Sequence, residues 1–92
     1  MIELGDVLAG TGGTLHGAAR GDAAFAEVRI DSRAVEPGDL FVAIRGETHD
    51  GHRFVPDAVA RGARGAIVAR GRAAEFAGLD PAPLLIEVEE TL

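Results

Sequence analysis

Residues 29–52 read RIDSRAVEPGDLFVAIRGETHDGH, and this stretch carries most of the information about the fold. It contains the end of an alternating strand, a polar corner at 31–33, a continuous apolar run at 40–44 and a polar loop at 46–52. An apolar run that follows a Pro-Gly turn indicates a strand buried on both faces. Two strands that each lead into a polar loop predict a small-ligand site between the loops, because ligands are often held on loops at strand ends.

Strand and helix patterns alternate on both sides of this stretch. Residues 25–30 alternate between two faces, which is typical of a strand, and residues 54–61 place apolar side chains on one helical face before Gly62. This alternation indicates an α/β domain, with a small mixed sheet and flanking helices. The predicted strands are 25–30, 40–44, 66–69 and 84–88, with a short extended piece at 14–16; the predicted helices are 2–10, 54–61 and 73–77, and a further helix is predicted to begin at 89.

The length and composition fit one domain that spans residues 1–92. The net charge of −6 argues against partners that are nucleic acid or anionic membrane. Without cysteine there can be no disulfide, and with neither a signal peptide nor a long apolar run the expected location is the cytoplasm. We expect one core, formed by Val28, Ile30, Leu40, Val42, Ile44, Val59, Ile67 and Leu85.

Two short motifs resemble known site motifs without matching them. The glycine cluster at 10–13 follows a predicted helix, and the chain has no lysine, so we interpret the cluster as a helix stop and not as a phosphate loop. The run at 49–52, His-Asp-Gly-His, offers two imidazoles and a carboxylate, but a metal site needs three or four ligands that converge, and His16 is too loosely placed to be counted. We expect no metal there, with Asp50 and Gly51 forming a structural corner, because Asp-Gly is a strong turn pair.

The Asp31-Ser32-Arg33 corner is open to two interpretations. It is not a nucleophilic site, because no histidine stands at a fixed position to act as base. It can be a ligand loop, in which Ser32 presents a hydroxyl and Arg33 pairs with a carboxylate or phosphate. It can equally be a structural corner, in which Asp31 and Arg33 brace each other.

The ordered set of motifs resembles the N-terminal domain of the Mur ligases, the ATP-dependent enzymes that build the peptide of bacterial cell-wall precursors. The motifs are the corner at 31–33, the strand segment at 37–43, the Asp-Gly-His at 50–52 and the Gly-Ala at 62–63. The resemblance implies a domain that binds the UDP end of a UDP-MurNAc-peptide and is not itself catalytic. It implies no cofactor in this chain, with ATP and Mg²⁺ used by the full-length enzyme, whose central ATP-binding and C-terminal domains would be partners in cis outside this chain.

The resemblance also assigns roles to individual residues. Ile30 would line the uracil pocket, and Ser32 would hydrogen-bond the UDP moiety. Gly46 would let the backbone approach the nucleotide closely. The full set of implied UDP-binding residues is Ile30, Ser32, Arg33, Gly46, Glu47, Thr48 and His49.

Within the family, the opening at 2–8 with the cluster at 11–13, and the ending at 88–92, are most similar to the members that add D-alanyl-D-alanine to UDP-MurNAc-tripeptide. The members that add the third amino acid to UDP-MurNAc-dipeptide share the central motifs and are the alternative. An alternative of another class is a non-enzymatic interaction module, in which the corner at 31–33 is only structural.

Overall fold

The computed structural model describes residues 2–16, 23–43, 50–80 and 82–89. Gly46, Glu47, Thr48 and His49 therefore lie outside the described residues, as does Ile44. The elements are β1 Ile2–Glu3, α1 Leu4–Thr11, β2 Thr14–His16, β3 Ala24–Phe25, β4 Val28–Arg29, β5 Leu40–Val42, α2 Val55–Ala60, β6 Gly65–Ala69 and β7 Leu84–Val88, with 3-10 turns at Ser32–Ala34, Gly51–Phe54 and Ala73–Glu75.

The main sheet has five strands in the order β2-β7-β6-β5-β4. Strands β4 to β7 pair in parallel, and β2 pairs antiparallel with β7 at the edge, so the sheet is mixed. The predicted α/β class, with a small mixed sheet, is confirmed. Because parallel strands share one direction, the loops that follow β4, β5 and β6 all leave the sheet at the same edge.

The beginning of the chain matches its prediction in part. Residues Ile2–Glu3 form a short strand that pairs with β3, so the helix starts later than predicted and covers Leu4–Thr11. Gly12 ends it in the left-handed conformation, with φ of 68°, and donates its N–H to the Leu8 carbonyl. The helix stop predicted from the glycine cluster is confirmed.

The predicted strand at 25–30 is wrong as a single element. It divides into β3 and β4, which belong to two different sheets. The chain bends at Ala26, whose N–H donates to the Gly38 carbonyl at 2.9 Å, while the Glu27 carbonyl accepts from Leu40 at 2.8 Å. The Pro-Gly turn therefore bonds to the chain between β3 and β4, while Leu40 begins the pairing of β5 with β4.

The apolar interior forms two cores and not the single one predicted, because helices cover both faces of the sheet. Leu40 and Ile67 pack with α1 on one face, and Val59 and Leu85 pack with α2 on the other. Placing Val28 and Ile30 in the core was wrong: both are exposed, since β4 is a two-residue strand at the sheet edge and Ile30 follows its end. Val42 is half-buried against the α1 core.

One predicted helix near the end of the chain was also wrong. The segment at 73–77 forms only the 3-10 turn Ala73–Glu75. The helix predicted to begin at 89 stays a prediction: Glu89 lies in a bend after β7, and residues 90–92 lie outside the described part of the chain. The helix predicted at 54–61 is confirmed as α2, which is shorter and is preceded by a 3-10 turn.

Candidate functional site

An open groove of about 630 Å³ lies at the edge where the parallel strands end. The polar corner that follows β4 and the segment around the start of α2 both line it. The sheet thus brings Ile30, Ser32 and Arg33 of the predicted set to one groove. The described lining residues are Ile30, Asp31, Ser32, Arg33, Phe54 and Asp57.

The Asp31 carboxylate organises the corner beside this groove. It accepts a hydrogen bond from the Arg33 backbone N–H at 2.9 Å, which starts the 3-10 turn Ser32–Ala34. It also receives the Arg33 guanidinium in a two-point contact, with Nε at 3.1 Å and Nη2 at 2.9 Å. These hydrogen bonds, the side-chain bond from Arg33 above all, hold the pKa of the Asp31 carboxyl below its ordinary value. Asp31 and Arg33 therefore brace each other, and the corner still borders the groove.

The residues on the groove wall differ in exposure. Ser32 is buried, with only a small part of its surface facing out, whereas Ile30 and the Arg33 side chain are largely exposed. The exposed apolar surface of Ile30 is in contact with water, which is unfavourable. Covering that surface with an apolar part of a ligand would therefore be favourable.

His52 connects the second polar loop to the sheet, which the sequence did not reveal. Its ring is fully buried; Nε2 accepts from the Ala69 N–H at 2.9 Å, and Nδ1 lies 2.6 Å from Asp50 Oδ1. Because Nε2 accepts, the ring proton is on Nδ1 and is donated to Asp50. The ring also stacks on Phe76, with centroids 6.4 Å apart.

Asp50 is the acceptor at the centre of this network. It caps the turn Gly51–Phe54 by accepting the His52 N–H at 3.0 Å, and its other oxygen receives Arg72 Nη1 at 2.7 Å. Arg72 is in turn held by Glu75. The hydrogen bond from Arg72, with those from His52, holds the pKa of the Asp50 carboxyl well below its usual range. Asp50 and Gly51 thus lie in a braced turn between β5 and α2.

The geometry gives no support to a metal site around His52. Both of its ring nitrogens already make hydrogen bonds within the protein. His16 lies on β2, where Nε2 is 2.9 Å from Glu87 Oε1. Within the described ranges no three His, Cys, Asp or Glu side chains are grouped so as to hold a metal ion.

Asp39 is a second buried polar residue that the sequence did not single out. Its carboxylate is almost fully enclosed beneath the Pro-Gly turn, accepts the Glu36 N–H at 2.9 Å and pairs with Arg29 Nε at 3.0 Å. Burial raises the pKa of the Asp39 carboxyl, but the hydrogen bonds from Glu36 and Arg29 outweigh it and leave that pKa below its ordinary value. Asp39 holds the start of β5 and therefore shapes the sheet and not the groove.

A mixed α/β sheet whose parallel strands end at an open groove is the architecture of a small-ligand-binding domain. The sequence match identifies the family: the model described as "Mur ligase family, catalytic domain" matches residues 24–87. The chain belongs to the Mur ligase family.

Two curated relatives belong to different branches of that family. The UDP-N-acetylmuramoyl-L-alanyl-D-glutamate–2,6-diaminopimelate ligase of Rhizobium meliloti (strain 1021) is 44% identical in an alignment of 70 positions that covers 67% of this chain and 14% of the relative. The UDP-N-acetylmuramoyl-tripeptide–D-alanyl-D-alanine ligase of Treponema pallidum (strain Nichols) is 43% identical over 63 residues, 68% of this chain and 14% of the relative. This chain therefore spans only a small part of the length of the relatives it matches.

A solved structure matches the fold over nearly the whole chain. The UDP-N-acetylmuramoylalanyl-D-glutamyl-2,6-diaminopimelate–D-alanyl-D-alanyl ligase of Acinetobacter baumannii aligns with a TM-score of 0.79 and 28% identity, covering 98% of this chain and 19% of that one. In the described part of this chain, no helix has the length and apolar character needed to cross a membrane.

Proposed function

We propose that this chain binds the UDP moiety of UDP-MurNAc-tripeptide within an ATP-dependent ligase that adds D-alanyl-D-alanine during peptidoglycan precursor synthesis. The observation that carries the proposal is the groove at the carboxyl edge of the sheet, in a member of the Mur ligase family. In parallel α/β sheets, ligands bind outside the carboxyl ends of the strands.

The groove offers chemistry that suits a nucleotide. Ile30 supplies an apolar contact for the base, Ser32 a hydroxyl, and Arg33 a guanidinium that can form charge-assisted hydrogen bonds with phosphate oxygens. Uracil carries one N–H donor between two carbonyl acceptors, which an exposed backbone segment can match. We assign that role to residues 46–49, which precede Asp50 in the sequence.

The residues of this chain do not fit the phosphates of ATP. A phosphate loop needs a strand, a glycine-rich turn that ends in lysine, and a helix. Here the cluster Gly10–Gly13 closes a helix, and no lysine exists in the sequence. We therefore propose that ATP and Mg²⁺ are held by a central domain and that a C-terminal domain completes the enzyme, both in cis, so that this chain binds and does not catalyse.

The two branches of the family each have support. The structural alignment to the D-alanyl-D-alanyl ligase extends over 98% of the chain. The diaminopimelate ligase relative, at 44% identity, favours the alternative that the third amino acid is added. Membership in the ligase family argues against the non-enzymatic interaction module.

An NMR titration of this chain with UDP tests the binding proposal. We expect shifts confined to Ile30–Arg33 and residues 46–50, with a dissociation constant near millimolar (about −4 kcal/mol), because an isolated domain makes only part of the contacts. Ser32→Ala removes one neutral hydrogen bond and should weaken binding by about 1 kcal/mol, or roughly fivefold. Thr14→Val, on the exposed edge strand β2, is the control and should bind as the parent does. A folded chain with no shifts at these loops contradicts the proposal.

A ligation assay separates the two branches. The natural polypeptide that contains this chain is supplied with ATP, Mg²⁺ and either of two substrate pairs: UDP-MurNAc-tripeptide with D-alanyl-D-alanine, or UDP-MurNAc-dipeptide with diaminopimelate. The expected product by mass spectrometry is the pentapeptide. Turnover of the dipeptide pair alone would establish the alternative.

A further inference from the structure

Large apolar side chains with high exposure concentrate at the groove. Among the described residues they are Ile30 at 66% exposed, Val28 at 45% and Phe54 at 40%. Ile30, which follows β4, and Phe54, in the turn before α2, both line the groove, and Val28 is not among its described lining residues. An exposed phenylalanine and isoleucine that share one groove provide an apolar surface for a ligand.

The position of Phe54 is fixed by its surroundings. It ends the 3-10 turn Gly51–Phe54, which Asp50 caps and His52 anchors to β6. The guanidinium of Arg53 lies over its ring, 5.3 Å from the centroid, which is a cation–π contact. A ring held in this way loses little conformational entropy when a ligand stacks on it.

A guanidinium and a carboxylate of opposite charge accompany the ring at the groove. Asp57 lies one helical turn beyond Phe54 and lines the same groove. Its carboxylate, paired only at the surface with Arg61 at 3.2 Å, repels phosphate. The Arg53 guanidinium over the ring attracts phosphate, so the two charges oppose each other and do not select the ligand. The aromatic ring itself offers a π-face suited to an uncharged planar base.

We propose that Phe54 and Ile30 form the two sides of a base clamp and that Phe54 determines specificity for a planar, aromatic base. The assignment rests on the proposed UDP-binding function and adds to it an aromatic wall that the sequence motifs do not indicate. Ile30 contacts the base by apolar packing and Phe54 by stacking.

The test compares two ligands on one protein. UDP and 5,6-dihydro-UDP have the same diphosphate, ribose, ring N–H and two carbonyls, but the dihydro ring is neither aromatic nor planar. Dissociation constants of both are measured by NMR for the parent chain, for Phe54→Leu and Ile30→Ala, and for Val28→Ala as the matched control of an exposed apolar residue outside the groove. Thermal melting verifies that each variant is folded.

We expect the parent to prefer UDP over the dihydro analogue by about fivefold, since stacking of a base on an aromatic residue contributes roughly 1 kcal/mol or more. F54L should abolish that preference, I30A should weaken both ligands, and V28A should change neither. Equal preference in the parent and F54L overturns the clamp while UDP binding, and so the proposed function, stands. No UDP binding by the folded parent overturns both.

Discussion

His52→Phe tests whether the buried histidine holds the loop between β5 and α2 through its hydrogen bonds. Phenylalanine keeps a planar ring against Phe76 and keeps the apolar burial, but it removes the bond from Nδ1 to Asp50 and the acceptor of the Ala69 N–H. The bond to a carboxylate contributes about 1.5–3 kcal/mol and the neutral one about 0.5–1.5 kcal/mol. We expect the free energy of unfolding to fall by roughly 2–4 kcal/mol.

The assay is thermal unfolding at neutral pH, followed by urea denaturation. For a domain of this size each kcal/mol corresponds to about 4–8 °C, so the melting temperature should fall by at least about 8 °C. Amide exchange at Ala69 should accelerate, because its N–H loses its partner. His16→Phe is the matched control: that histidine is half-exposed, and the mostly buried Glu87 keeps the hydrogen bond from the Ala73 N–H, so the expected loss is below about 1 kcal/mol. An H52F variant that melts within about 2 °C of the parent would refute the reasoning.

Two further predictions concern residues that shape the sheet. Asp39→Asn should reduce stability at pH 7 by roughly 2–3 kcal/mol in urea denaturation, because charge-assisted bonds to Arg29 and the Glu36 N–H are lost. The folded pKa of Asp39 is lowered, so its contribution is present above about pH 4 and is lost as the pH falls through the folded value; D39N should flatten that acid dependence, and an unchanged pH profile would contradict the role. Gly62→Ala should lower the melting temperature more than Gly71→Ala: both positions have positive φ (103° and 85°), but only at Gly62 would the new Cβ meet a neighbour, at 2.8 Å from Pro37 Cα. Equal losses would show that this close approach is unimportant.

The sequence predicted those features that depend on local signals. Residues that are close together in the sequence determine three of the observed features. These are the α/β class, the buried strand after the Pro-Gly turn and the helix stop at Gly12. The division of the strand at 25–30 could not be read locally. The segment would show the same alternation of side chains whether it formed one strand or two. The division into two strands depends on the pairing of β3 with β1 and on the hydrogen bond from Ala26 to the Gly38 carbonyl.

The polar core residues were missed for a related reason. Aspartate and histidine are most often exposed, so sequence patterns assign them to the surface. Asp39 is buried because Arg29, ten positions away, pairs with it, and His52 because the Ala69 N–H and Arg72 complete its network from 17 and 20 positions further along the chain. The periodicity of apolar residues in the sequence does not indicate hydrogen-bond partners that lie so far apart along the chain. Of the predicted site, the Asp31–Arg33 pairing was foreseen as one of two alternatives, whereas Phe54 was read only as the start of a helix.

The two loops at the carboxyl edge use the same device, and this bears on how the groove selects a ligand. Each begins a 3-10 turn with an aspartate, Asp31 or Asp50, that accepts the N–H two residues ahead and is held by an arginine. Both carboxylates are thus occupied in fixing the backbone. The side chains that remain exposed on the walls include Ile30 and Phe54, whose contacts depend on shape and stacking. For the proposed ligand we therefore expect apolar contacts to the base, with polar recognition left to backbone groups and to the few donors at the rim of the groove.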